Sequence, residues 1–202
     1  SLSFRRLAER FGHEGALREV LLADARLPSD CRHMLLVKLG EALRAAPLVQ
    51  ALMGARRAER VTREACVKAS LTLIDHTPAQ EHAALIEHMR LRGDLTAAFL
   101  VRAIAHGKVD FLGSVLMALS DQSEARVRAI LASGRDVAVK ALFRSAGLAE
   151  PLHAVMLLAL KVWREVAIGK RVAGAQEVSW LMFSDISGDS GDAPLTGQRA
   201  EL

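Results

Sequence analysis

The chain has no tyrosine, and aromatic residues make up only 4% of its 202 positions. Sandwiches and barrels fill their pleated faces with aromatic and β-branched side chains, so this scarcity argues against a β architecture. Cysteine is almost missing as well. Cys31 and Cys66 stand far apart in helical patterns, with no C-x-x-C. They read as free thiols of a reducing compartment, not as a disulfide or half of a metal site. Long apolar runs are lacking too. The longest, Ala154 to Leu160, ends at Lys161, well short of the ~20 residues a membrane helix needs. No secretory leader is legible, and the expectation is a cytoplasmic protein without a membrane span.

What is abundant is leucine, alanine and valine, within a hydrophobic content of 51%. Such a composition suits close helix–helix packing. Between Leu91 and Leu148 one phrase recurs: a short apolar helix, then a glycine or polar stop. The helix cores begin at Leu100, Val115, Val127 and Val139, and the stops are Gly107, Ser120-Asp121, Gly134 and Gly147. Helices this short cannot bury an apolar face alone and must stack on their neighbours. The predicted fold is therefore all-α, a right-handed stack of short helices in a helical repeat array. Leu100, Ile104, Leu116, Leu119, Ile130, Leu131, Leu142 and Phe143 are its expected core.

Start and stop signals extend the reading along the chain. Ser3 to Phe11 and Glu14 to Ala25 are predicted helices, broken near Gly12-His13. Pro28-Ser29-Asp30 opens a longer helix to about Ala45, and Pro47 suits the first turn of the next. Thr62 is predicted to cap the helix after it. Thr77-Pro78-Ala79-Gln80 and Asp121-Gln122-Ser123-Glu124 read as capping boxes, Gly93 as a left-handed cap, and Thr96 as a helix start. A last long helix is expected from Glu150-Pro151 to about Arg171, with Trp180 and Phe183 in a closing piece. This gives an N-terminal helical extension (1–60), a helical repeat domain (61–183) and a flexible acidic tail (184–202). The tail sets Asp185, Asp189, Asp192 and Glu201 against Arg199, which leaves +7 on the helical body of a chain whose total is +4.

Within residues ~80–168, the wording Glu87-His88-Met89-Arg90, Gly93-Asp94-Leu95-Thr96, Val109-Asp110-Phe111 and Ala141-Leu142-Phe143-Arg144, then Ala146-Gly147-Leu148, resembles a bacterial family. It is the uncharacterised domain-of-unknown-function family two-three-three-six, common in alphaproteobacteria. The resemblance covers somewhat under half the chain. It implies an all-helical, HEAT-like domain and supplies no catalytic residue, cofactor or ligand.

Several motifs look like chemistry and dissolve on inspection. Gly188-Asp189-Ser190-Gly191-Asp192 imitates the nucleophile loop of trypsin-like proteases, but that serine needs a β-barrel, a histidine base and an oxyanion hole. Asp192 stands where an oxyanion would be repelled. His82 and His88 are six residues apart, roughly 120° from facing each other on one helix. His76 and His82 share the defect, so the histidines read as surface residues and no metal is expected. Gly169-Lys170-Arg171 lacks the frame of a phosphate loop. Asp94 and Asp110 follow helix stops, where turn chemistry explains them.

The cationic clusters carry more weight. Arg56, Arg57, Arg60 and Arg63 surround one inter-helix join. Arg126, Arg128, Arg135, Lys140 and Arg144 fall on two consecutive helices, and Arg102 precedes them. The expected function is a protein–protein interaction or scaffold module without catalytic residues or cofactor. Arg102, Arg126, Arg128, Arg135, Lys140 and Arg144 are its candidate anchors for an acidic partner surface. The alternative is a basic helical array that holds nucleic acid through phosphate contacts. The shortage of aromatics to stack on bases weighs against single strands.

Overall fold

A computed structural model describes residues 2–189 of the chain, and the described residues form helices with no strand. In order they are α1 (Leu2–Phe11), α2 (Gly15–Ala23), α3 (Ser29–Ala45), α4 (Pro47–Met53), α5 (Ala55–Asp75) and α6 (His82–Arg92). There follow α7 (Ala97–Ala105), α8 (Val109–Ser120), α9 (Glu124–Ser133), α10 (Asp136–Ser145), α11 (His153–Ala167) and α12 (Ala175–Asp189). Two 3-10 turns, Ala79–Glu81 and Glu150–Leu152, lead into α6 and α11. The all-α prediction holds.

The caps show why the breaks fall where they do. Thr96 starts α7 by accepting the Phe99 amide on its Oγ1 at 3.1 Å, satisfying one of the donors a helix start leaves open. Gly93 ends α6 in the left-handed region at φ +75°, where a Cβ would be strained. Three predicted caps are corrected. Thr62 lies inside α5 and turns its hydroxyl to the Ala58 carbonyl at 2.7 Å. Thr77 likewise donates backward, to the Leu73 carbonyl at 2.8 Å, so its box does not form. In its place Glu81 reaches across to accept the Ser29 amide at 2.7 Å, tying the start of α3 to the turn before α6. The second box moves by two residues: Asp121 is the left-handed end of α8, and Ser123 caps α9. The last long helix also stops earlier than predicted, at Ala167.

Two apolar clusters hold the helices. A small one joins Ala8, Leu21, Leu27, Cys31, Met34 and Leu35 from α1 to α3. The large one runs from Leu71 in α5 to Met182 in α12, with Phe111 and Phe143 among its largest fully buried side chains. Of the predicted core, Leu100, Ile104, Leu116, Leu142 and Phe143 are buried, whereas Leu119, Ile130 and Leu131 pack on it from half-exposed positions. Helix α3 bridges the two clusters by packing on α1, α5 and α6. Gly40 permits its close approach to α5, because a Cβ there would overlap Cys66 Sγ. The boundary placed at residues 60 and 61 falls inside α5, which is continuous there.

The packing order departs from a ladder of sequential neighbours. Helix α7 packs on α11 and α12 as well as on α8. The link is specific: the Trp163 indole N–H donates to the Ile104 carbonyl at 2.6 Å, and its ring lies over Gly107. Residues 184–189 continue α12. The rest of the acidic tail, including Ser190 and the protease-like loop it anchors, lies outside the described residues.

Candidate functional site

A groove of about 850 Å³ is formed by the end of α5, the turn before α6, and α8, α9 and α11. Its apolar lining comes from Ile74, Val109, Phe111, Met117, Val127 and Leu131. These side chains face the groove because α8 and α9 present their core-flanking rows to it: Val127 is fully buried, while Met117 and Leu131 keep part of their surface open. Polar groups rim the opening. Lys108 pairs with Asp75 at one edge, and Arg128 pairs with Glu124 at 2.9 Å along α9. Arg164 enters from α11.

Inside the groove His82 Nδ1 lies 2.9 Å from Ser114 Oγ, with the imidazole edge-on to Phe111 at 5.5 Å. The bonding around this serine–histidine pair is local to α6 and α8. Ser114 Oγ also contacts the Asp110 carbonyl at 3.1 Å. A carbonyl only accepts, so the serine proton goes there and His82 donates to the serine oxygen. The pair fixes α6 against α8 and leaves the His82 ring as a groove wall.

A second concavity of about 580 Å³ adjoins the first and shares Arg164 with it. Gly134, Arg135, Asp136, Val137 and Lys161 complete its lining. Gly134 ends α9 at φ +68°, and a Cβ built on it would sit 2.5 Å from Arg164 Nη1. The guanidinium therefore rests on the bare glycine, held by an Nε bond to the Leu160 carbonyl at 3.3 Å. Among the described residues no carboxylate lies within ion-pair distance of Arg135, Lys161 or Arg164. Three cations and one carboxylate, Asp136, line it, which leaves a net positive potential at the groove mouth.

The six cations singled out from the sequence separate on this map. Arg128 lines the groove and Arg135 the adjoining concavity; Arg102, Arg126, Lys140 and Arg144 line neither. Arg102 pairs with Glu64 of α5 at 2.7 Å, and Arg144 with Glu150 at 2.8 Å. The Glu150 carboxyl is held below its usual range chiefly by its hydrogen bond from Arg144. Lys161 and Arg164 were missed. The legible signal was their i, i+3 spacing on a helix otherwise apolar from Ala154 to Trp163, which puts both charges on neighbouring surface.

The histidines require the largest correction. His82 and His88 are buried, as are His33 and His153. His153 is satisfied by the Leu148 carbonyl at 2.9 Å. His33 and His88 instead meet edge to face at 5.3 Å across the α3–α6 contact, and neither His33 Nδ1 nor His88 Nε2 has a hydrogen-bond partner. Burial pushes the His33 imidazole down to about 4, helped by its neighbour His88. His88 is lowered chiefly by burial too. Cys31 is also buried, and this raises its thiol to about 11, leaving it an inert core side chain. Among the described residues no three His, Cys, Asp or Glu side chains gather as a metal site, and no helix is long and apolar enough to cross a membrane.

The family described as an uncharacterised protein conserved in bacteria, DUF2336, matches residues 2–195, well beyond the stretch that carried the resemblance in the sequence. No curated protein and no solved structure matches the chain.

Proposed function

The chain belongs to the DUF2336 family, conserved in bacteria, and on that premise we propose that it is a protein-binding scaffold module whose groove seats an acidic segment of a partner. The observation that carries this reading is the groove itself. An open apolar trough bordered by Arg128, with Arg135, Lys161 and Arg164 outnumbering Asp136 at its mouth, matches a ligand that brings apolar side chains and carboxylates together. The short-helix stack serves as the frame, as in helical repeat proteins that bind partners along ordered surface. Of the six cations first considered, Arg128 and Arg135 keep their role as anchors because they line the two concavities; Arg102 and Arg144 line neither and contribute less.

Selection from a displayed library of random peptides tests this directly. Enriched sequences should combine aspartate or glutamate with a large apolar residue, and Arg128→Glu with Arg164→Glu should abolish their capture while Arg102→Glu leaves it. Enrichment of neutral or basic sequences, or capture indifferent to the charge reversals, overturns the reading. One observation supports a second reading: three unpaired cations beside a helix start also suit a phosphate backbone. A gel shift on duplex DNA at low salt that fades steeply as salt rises would favour it.

A further inference from the structure

The groove leaves unused the arginines at the corner where α4 meets α5. Helix α4 buries none of its residues. Leu48 and Leu52, one helical turn apart, are 70% and 75% exposed, and Met53 beside them is exposed as well. Gly54 then turns the chain at φ +78° into α5. There Arg56, Arg60 and Arg63 recur at i, i+4 and i+7, on the side of the helix opposite the buried Ala58, with Arg57 next to them. Between Arg44 and Arg63 the only carboxylate is Glu59, and Arg63 takes it at 2.7 Å. Among the described residues Arg56, Arg57 and Arg60 have no carboxylate within ion-pair distance.

Leucines held in water beside a row of free arginines need a ligand that is apolar within and anionic at its surface. We infer that the α4–α5 corner docks this protein onto an anionic phospholipid surface. Leu48 and Leu52 enter the boundary between headgroups and acyl chains, and Arg56, Arg57 and Arg60 meet the lipid phosphates. Charge complementarity selects this occupant. A second copy would set one arginine row against another. Nucleic acid answers the arginines and leaves the leucines idle, since α4 has no aromatic side chain to stack on a base. The inference is independent of the groove, which lies at the other end of α5.

Co-sedimentation of the full chain with vesicles tests it. Binding should appear on phosphatidylglycerol/phosphatidylcholine vesicles, be absent on phosphatidylcholine alone, and fall as salt rises. Each arginine removed should lower partitioning about fivefold, so Arg56→Gln, Arg57→Gln and Arg60→Gln together cost about a hundredfold. Leu48→Ser with Leu52→Ser should also release the protein, with its melting temperature unchanged because α4 contributes nothing to the core. Failure to bind phosphatidylglycerol vesicles at low salt overturns the inference, as does binding that survives both sets of substitutions. Capture on immobilised polyglutamate without any vesicle binding also overturns it and points to an acidic protein surface.

Discussion

Acidification should unfold this protein earlier than its carboxylates alone would dictate, and His33 is the reason. The imidazole is buried between α3 and α6 against His88, with an Nδ1 that has no partner. Its folded pKa of about 4 lies below the ordinary 6.5. The unfolded chain therefore takes up the proton first as pH falls, and stability present above pH 6.5 is lost progressively down to pH 4. Between pH 7 and pH 5 that single group removes about 2 kcal/mol, from the ratio of proton binding in the two states. His88, shifted in the same direction, adds to the loss. Asp24, lowered to about 2 by its hydrogen bonds from Arg26, stays ionised throughout this window. With a urea dependence of about 2 kcal/mol per molar, the unfolding midpoint should drop by about 1 M between the two pH values. In His33→Met, which keeps the volume and removes the titrating group, most of that drop should vanish. A midpoint that does not move between pH 7 and 5, or moves equally in His33→Met, would refute the reasoning.

Gly40→Ala places a methyl against Cys66 Sγ where α3 meets α5, and thermal melting should record a loss of about 1–3 kcal/mol; pairing it with Cys66→Ala should recover part of that. Phe143→Ala empties a fully buried site and should cost about 3–5 kcal/mol in urea unfolding. Trp163→Phe removes the indole bond to Ile104. That carbonyl keeps the Gly107 amide at 3.0 Å, so the loss should be only about 1 kcal/mol, read from the same unfolding curves.

Much of the helical order was legible because it rests on local chemistry. Gly93, Thr96, Gly107 and Gly134 act within a turn or two of themselves, and each marks a break where the sequence placed one. The misread caps have a common cause. A threonine or serine hydroxyl can bond backward to the carbonyl four residues earlier as readily as forward to an amide, and Thr62 and Thr77 take the backward choice. The histidines were misjudged for a different reason. Angular spacing along one helix says nothing about partners on another, and His88 meets His33 from across the α3–α6 contact. The groove is likewise a tertiary object. Arg128 was visible as a charge and the Lys161–Arg164 spacing was legible too, but only tertiary packing brings Arg164 of α11 to the groove that Arg128 lines.

Helix α5 gives the molecule a ruler. Its 21 residues form one uninterrupted helix, about 31 Å long at the usual rise per residue. One end, at Ala55, begins beside the exposed leucines; the other supplies Ile74 and Asp75 to the groove. A guest in the groove is thus held at a set height from whatever the arginine corner rests upon. Shortening α5 by two turns would lower that height by about 11 Å without altering a single residue at either contact.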